Sequence, residues 1–173
     1  MTSPDFPNAG EKHKSVRVLV VDDYEPWHSF VSATLSQEQE LQIVGRASDG
    51  LEAVHQAQQL QPDLILLDIS LPKLNGLDAS VRIQKVAPGS KILFVSENRS
   101  REITEAALAN GAGGYVVKSD AGGDLLPAIR AVLEGKRFIS ASLTGQLLVT
   151  TTTLSAIPAA QLSWILMFIS GLS

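Results

Sequence analysis

Residues 62–76 read PDLILLDISLPKLNG, and the first half of that stretch decides the fold. Leu64, Ile65, Leu66 and Leu67 follow one another with no polar alternation, the form of a strand covered on both faces rather than one lying on a surface. Asp68 closes the run, Pro72 follows, and Asn75-Gly76 offers a turn from which a helix can start. Such strands are typical of parallel sheets, whose partner strands alternate with helices along the chain.

Reading outward from this strand supplies those partners. VRVLVVDD (16–23), LQIVGRAS (41–48), SKILFVSE (90–97) and GGYVVKS (113–119) are short runs rich in Val, Ile and Leu. Amphipathic stretches lie between them. Pro26 to Glu38 places Trp27, Phe30, Val31 and Leu35 at helical spacing for core packing, and Pro26 suits a first turn. Leu51 to Leu60, Gly76 to Val86, Arg101 to Asn110 and Asp124 to Glu134 follow, the last two stopped by Gly111 and Gly135. The succession predicts an α/β fold: a doubly wound, five-stranded parallel sheet of flavodoxin-like (βα)₅ form. Its ligand site should lie beyond the carboxyl ends of the strands. The expected division is a disordered tail over 1–15, one domain over 16–137, and an uncharged apolar tail over 138–173. Residues past about Ser140 are expected to be dispensable for folding.

Composition narrows the function classes. At 45% hydrophobic, 18% charged and a net charge of −4, the chain reads as a soluble globular protein without the basic stripe of a nucleic-acid binder. It has no cysteine, which excludes disulfides, thiolate metal sites and cysteine nucleophiles and fits a cytoplasmic protein. The opening MTSPDFPNAGEKHK has no apolar core and cannot serve as a secretory signal.

Polar groups close four of the five strands: Asp22 and Asp23, Asp68, Ser96, and Lys118. Three carboxylates brought together raise one another's pKa unless a divalent cation is present, and an oxygen-only ligand set favours Mg²⁺ or Mn²⁺ over zinc. A lysine and a hydroxyl beside them supply what a transferring phosphoryl group needs, positive charge and a hydrogen-bond donor, and make Asp68 a candidate nucleophile. Any one of these residues alone reads equally well as a strand end turning into solvent. The ordered set of five outweighs that reading. His13, His28 and His55 show no metal-ligand or triad spacing and receive no role.

LVVDD ending at Asp23, LILLDISLPKLNG around Asp68, FVSEN at Ser96 and YVVKSD at Lys118 together resemble the response-regulator receiver family of two-component systems, over about residues 16–136. The VVKS ending, with Ser119, and GKRFIS resemble its NarL/LuxR-type subfamily, whose members usually carry a helix-turn-helix output domain. The resemblance implies that a bacterial sensor histidine kinase or phosphotransfer protein donates a phosphoryl group to Asp68. It implies Mg²⁺ held by Asp23, Asp68 and the backbone carbonyl of Ser70, with Asp22 acting through water. Lys118 then pairs with the phosphoryl group, while Ser96 and Tyr115 form the switch. The output is a change in partner binding or self-association, with a homodimer through the face of the fourth helix, fifth strand and fifth helix. The protein's own chemistry would be no more than slow autodephosphorylation. Tyr115 also has a plainer reading as a half-buried sheet-edge aromatic.

Glu97 departs from the family pattern, which has a small residue there; a carboxylate at that place repels a dianionic phosphodonor, though by little if it is a loop glutamate pointing into solvent, a reading of equal weight. A pseudo-receiver that is poorly phosphorylated is therefore one alternative. A Mg²⁺-dependent aspartyl-nucleophile phosphohydrolase is another, but Ser70 stands where that class needs a second carboxylate. A flavodoxin-like mononucleotide binder is disfavoured by DDYEP after the first strand, which would repel phosphate.

Residues 138–173 carry no charged side chain, so this tail has no Lys or Arg to neutralise phosphates, and direct nucleic-acid binding by this chain is not expected. Leu154 to Leu172 is about long enough to cross a thin bilayer, but Pro158 and Gln161 interrupt it and no positive cluster follows, which argues against membrane contact. A docking helix over Leu162 to Ile169 and a truncated or frame-shifted remnant of an output domain are the other readings.

Overall fold

The computed structural model describes residues 15–144. The expected disordered tail over 1–15 and all three readings of the chain's end lie largely or wholly outside that range. Among the described residues no helix is long and apolar enough to cross a membrane.

Strands β1 (Val16–Val21), β2 (Leu41–Ala47), β3 (Leu64–Leu67), β4 (Lys91–Ser96), β5 (Gly114–Val117) and β6 (Phe138–Ile139) form one parallel sheet in the order β2-β1-β3-β4-β5-β6. Helices α1 (Glu25–Leu35), α2 (Gly50–Leu60), α3 (Gly76–Val86), α4 (Arg101–Ala109) and α5 (Ala121–Leu133) connect the strands. The α/β reading holds, with one strand more than expected. Asp49, Asn75 and Ser100 cap α2, α3 and α4, each side chain accepting the backbone N–H of the residue three positions on.

The period of two along each strand sorts the core into two layers. Leu19, Val21, Ile65, Leu67, Ile92, Phe94, Tyr115 and Val117 face one layer, closed by residues of α2, α3 and α4 such as Ala53, Ile83 and Ala107. Val18, Val20, Leu64, Leu66, Leu93, Val95 and Val116 face the other, closed by Trp27, Val31 and Leu35 of α1 and by Leu125 and Ile129 of α5. Both faces of β1, β3, β4 and β5 are therefore buried, which is why LILL shows no polar alternation.

Two helix boundaries differ from the sequence reading. The first helix stops at Leu35 because Ser36 to Glu40 offer no apolar side chain to continue its buried stripe. The fifth begins at Ala121 rather than Asp124. Gly122 and Gly123 oppose a helix by intrinsic preference, but Ala121 and Leu125, one turn apart, are both buried and anchor that turn.

The packed unit also runs beyond Arg137. Phe138 and Ile139 pair with Gly114 and Tyr115, and Gly114 permits the approach: a Cβ there would stand 2.6 Å from the Phe138 carbonyl oxygen. Ser140 then donates its backbone N–H to the Tyr115 carbonyl, and a helical turn over 141–144 sends Leu143 into the core, where it is 2% exposed. This places a core side chain past the point where residues were expected to be dispensable.

Leu143→Ala should therefore cost roughly 2–4 kcal/mol of stability, the scale of emptying a buried leucine site. Urea denaturation reads this directly, and a chain ended at Ser140 should lose a comparable amount. An unchanged midpoint in both would remove Leu143 from the core.

Candidate functional site

Strand order reverses between β1 and β3, where the helices that follow them leave to opposite faces of the sheet and a crevice opens at the carboxyl ends. Val21 stands opposite Leu67, so Asp22 and Asp68, the next residues, emerge side by side. Backbone bonds extend past the strands and hold both: Asp68 N–H donates to the Val21 carbonyl and Asp22 N–H to that of Ala47, each at 3.0 Å. Asp22, Asp23 and Asp68 offer carboxylate oxygens that all lie within 4.8 Å of one another. The first and last are buried, and Asp23 is exposed.

The Lys118 ammonium, at the end of β5, reaches into this cluster. Its Nζ lies 2.6 Å from Asp22 Oδ2 and 3.6 Å from Asp68 Oδ2, with the lysine side chain 10% exposed. One ammonium faces three carboxylates. Burial pushes the Asp22 carboxyl above the usual range, opposed by the Lys118 contact and by the Tyr24 N–H that Asp22 Oδ1 accepts at 3.0 Å. Asp22 Oδ2 is a buried oxygen whose contact with Lys118 is an ion pair without hydrogen-bond alignment. Asp68 Oδ1 accepts the Ile69 N–H at 2.7 Å. Hard oxygen ligands, excess negative charge and one exposed member fit a divalent cation of the Mg²⁺ kind. Asp22, Asp23 and Asp68 offer the ligand oxygens, and exposed Ser70, two residues past Asp68, has a carbonyl that accepts no backbone hydrogen bond among the described residues.

The alternation that sorts the core also sorts the site. Lys118 has the parity of Val116 and meets α1: its Nζ lies 5.2 Å from the ring centroid of Trp27. Ser96 has the parity of Phe94 and goes to the other layer with Tyr115. There the Ser96 hydroxyl accepts the Asn98 N–H at 3.3 Å, and the Tyr115 hydroxyl donates to the Asn98 carbonyl at 2.8 Å. Tyr115 is fully buried with its ring 6.4 Å from that of Phe94, because β6 turns β5 into an interior strand; the sheet-edge reading is not met. Burial pushes its phenol up to about 12, so it stays a donor at neutral pH. Glu97 is exposed and joins no ion pair among the described residues.

Two side chains of α1 escaped functional notice in the sequence. Trp27 reads as a core residue by its spacing, yet it also faces Lys118. His28, given no role, is buried with Nε2 2.8 Å from the Asp22 carbonyl, so Nε2 carries the proton that carbonyl accepts. Its spacing of three and seven from Val31 and Leu35 marks it as inward-facing.

The loop from Asp68 to Gly76 has little freedom. Gly76 N–H donates to the Ile69 carbonyl, and a Cβ on Gly76 would stand 2.0 Å from the Asp68 carbonyl oxygen and 2.8 Å from Ile69 Cα.

Residues 18–130 match the response regulator receiver domain family. Among curated proteins the chain is 33% identical over 132 residues to the response regulator GacA of Pseudomonas viridiflava, an overlap of 76% of this chain and 62% of that one. The chain thus spans less than two thirds of that relative's length. Among solved structures, the response regulator domain of Thermotoga maritima CheB superposes with a TM-score of 0.65 at 34% identity, covering 69% of this chain and 97% of that one. A LuxR-family two-component response regulator from Aurantimonas superposes with a TM-score of 0.76 at 25% identity, covering 80% and 99%.

Gly76→Ala should force the Asp68 loop to shift, at a cost of about 1–3 kcal/mol in the range of overpacked sites. It should also weaken Mg²⁺ binding, because Asp68 and Ser70 lie on that loop. Thermal melting and calorimetric Mg²⁺ titration test the two effects; a variant with wild-type melting and affinity would show that the loop is not so constrained.

Proposed function

The chain belongs to the response regulator receiver domain family, and on that premise we propose that it accepts a phosphoryl group on Asp68 and thereby switches partner binding or self-association. The observation that carries the assignment to Asp68 is its position. It is buried at the end of the central strand β3, its carboxylate lies within 4.8 Å of those of Asp22 and Asp23, and the Lys118 ammonium stands 3.6 Å from its Oδ2.

The donor is the phosphohistidine of a sensor histidine kinase or a phosphotransfer protein. An Asp68 carboxylate oxygen bonds to phosphorus, the P–N bond breaks, and the departing imidazole takes a proton. When bound, Mg²⁺, or Mn²⁺ in its place, supplies positive charge to the phosphoryl oxygens. Asp23, Asp68 and the Ser70 carbonyl would hold the ion, and Asp22 would act through a bound water. Lys118 supplies the second positive charge and must leave Asp22 to do so. The Ser96 hydroxyl donates to a phosphoryl oxygen, and Tyr115 follows it within the layer they share. The change passes to the face of α4, β5 and α5, where a partner or a second copy reads it. Turnover is limited to slow autodephosphorylation, so the protein is a signalling module rather than an enzyme, and it acts in the cytoplasm. Residues 138–173 lack any basic side chain, so no DNA contact is proposed for that stretch. The receiver unit extends to about residue 144, as the burial of Leu143 favours.

Incubation with acetyl phosphate and Mg²⁺ should add one phosphoryl group by intact mass, and Asp68→Asn should abolish the gain. The same yield in that variant would overturn the assignment. Glu97→Ala should quicken the reaction at low salt by relieving repulsion at the rim, and equal rates would leave Glu97 without a part in access.

A further inference from the structure

We propose that Trp27 is a positioning residue for Lys118, its indole face holding the ammonium at the carboxylate cluster. The inference rests on the reading of Lys118 as the charge that meets the phosphoryl group. A lysine ammonium is a compact, strongly hydrated charge on a flexible four-carbon stem, and nothing in the stem itself directs it. Direction must come from neighbours. With 10% of its side chain exposed, Lys118 has lost most of its water, and three groups surround its Nζ: Asp22 Oδ2 at 2.6 Å, Asp68 Oδ2 at 3.6 Å and the Trp27 ring at 5.2 Å. That last distance is within the range at which a cation is attracted to the negative face of an aromatic ring, and the attraction grows as water is excluded.

The two carboxylates cannot serve as constant anchors. A divalent cation competes with Lys118 for their charge, and phosphorylation converts Asp68 into an acyl phosphate. The indole's field is the same before and after, so Trp27 is the neighbour that keeps the ammonium at the site through the change. Trp27 is itself held: it is 8% exposed, packed in the α1 and α5 layer, and its ring lies 5.0 Å from that of Phe30. Packing alone is the competing account. It predicts a loss of stability that does not depend on Lys118.

The test uses the full chain. In the cation-free protein, the Lys118 ε-methylene signal should be shifted upfield by the indole ring current, less so in Trp27→Phe and not at all in Trp27→Leu. Beryllium trifluoride with Mg²⁺, a stand-in for the phosphoryl group, should bind Trp27→Leu about fivefold more weakly than wild type, with Trp27→Phe between them. In a Lys118→Met background the Trp27→Leu change should have no further effect. An unshifted Lys118 signal in the wild type, or an equal loss of affinity in both backgrounds, would overturn the proposal. Should Trp27→Leu fail to fold, the Phe variant carries the same comparison. A wild type that binds no beryllium trifluoride would overturn the phosphoryl-acceptor reading, while the Lys118 signal would still decide its pairing with Trp27.

Discussion

The pairing of β1 with β3 leaves Asp22 and Asp68 no choice but to stand together. Their Cα positions are set by a parallel register and by backbone bonds that continue one step past each strand, so the repulsion between the two carboxylates cannot be relieved by moving either chain. Burial adds a desolvation cost of several kcal/mol for each charge. Lys118, delivered from β5 across the sheet, is the compensation the fold provides, and it is incomplete: one positive charge serves three negative ones. The Asp22 carboxyl is raised chiefly by burial, with the Asp68 charge adding to it and Lys118 opposing it. A site that stays short of positive charge is one that a cation stabilises on entering, and the same shortage holds Lys118 away from solvent.

Alternation along the strands then divides the labour around that cluster. Lys118 and Ser96 close neighbouring strands yet point to opposite layers, because the register sets Ser96 beside Val117 and so puts Lys118 one step further on. Charge compensation is handled on the α1 and α5 side, with Trp27. The hydroxyl pair of Ser96 and Tyr115, joined through Asn98, is packed on the α2, α3 and α4 side. The end of β3 thus lies between charge compensation on one side of the sheet and a pair of hydroxyl groups on the other.

Much of this was legible in the sequence, for physical reasons that differ by residue. Apolar runs without alternation marked the central strands, and their last residues marked the site, because a parallel sheet brings all carboxyl ends to one edge. What failed to show was whatever depended on short range or on tertiary contact. Phe138-Ile139 is too brief to display a period, and its pairing depends on Gly114, whose missing Cβ matters only once the strands meet. The start of α5 ran against local preference at Gly122-Gly123 and was decided by Ala121 and Leu125. Trp27 satisfied a helical apolar stripe so well that its second face, toward Lys118, had no separate signature. His28 carried the spacing of that stripe, yet its polar partner is a backbone carbonyl, which no side-chain pattern reports.

The sixth strand also determines how the chain leaves the domain. Ser140, fully buried, accepts the Val117 N–H on its hydroxyl at 3.1 Å and donates that hydroxyl to Asp124 Oδ2 at 2.7 Å, while its own N–H goes to the Tyr115 carbonyl. Val117 is the residue before Lys118, and Asp124 lies in the first turn of α5. Two residues on, the Ser142 hydroxyl meets the carboxylate of Asp120, in the turn that joins Lys118 to α5. Moving the end of β5 without moving Ser140 would strand the buried Val117 N–H, at a cost of about 1–3 kcal/mol. The two therefore move together or not at all, and the exit of the chain is tied mechanically to the strand that positions the site's only ammonium among the described residues.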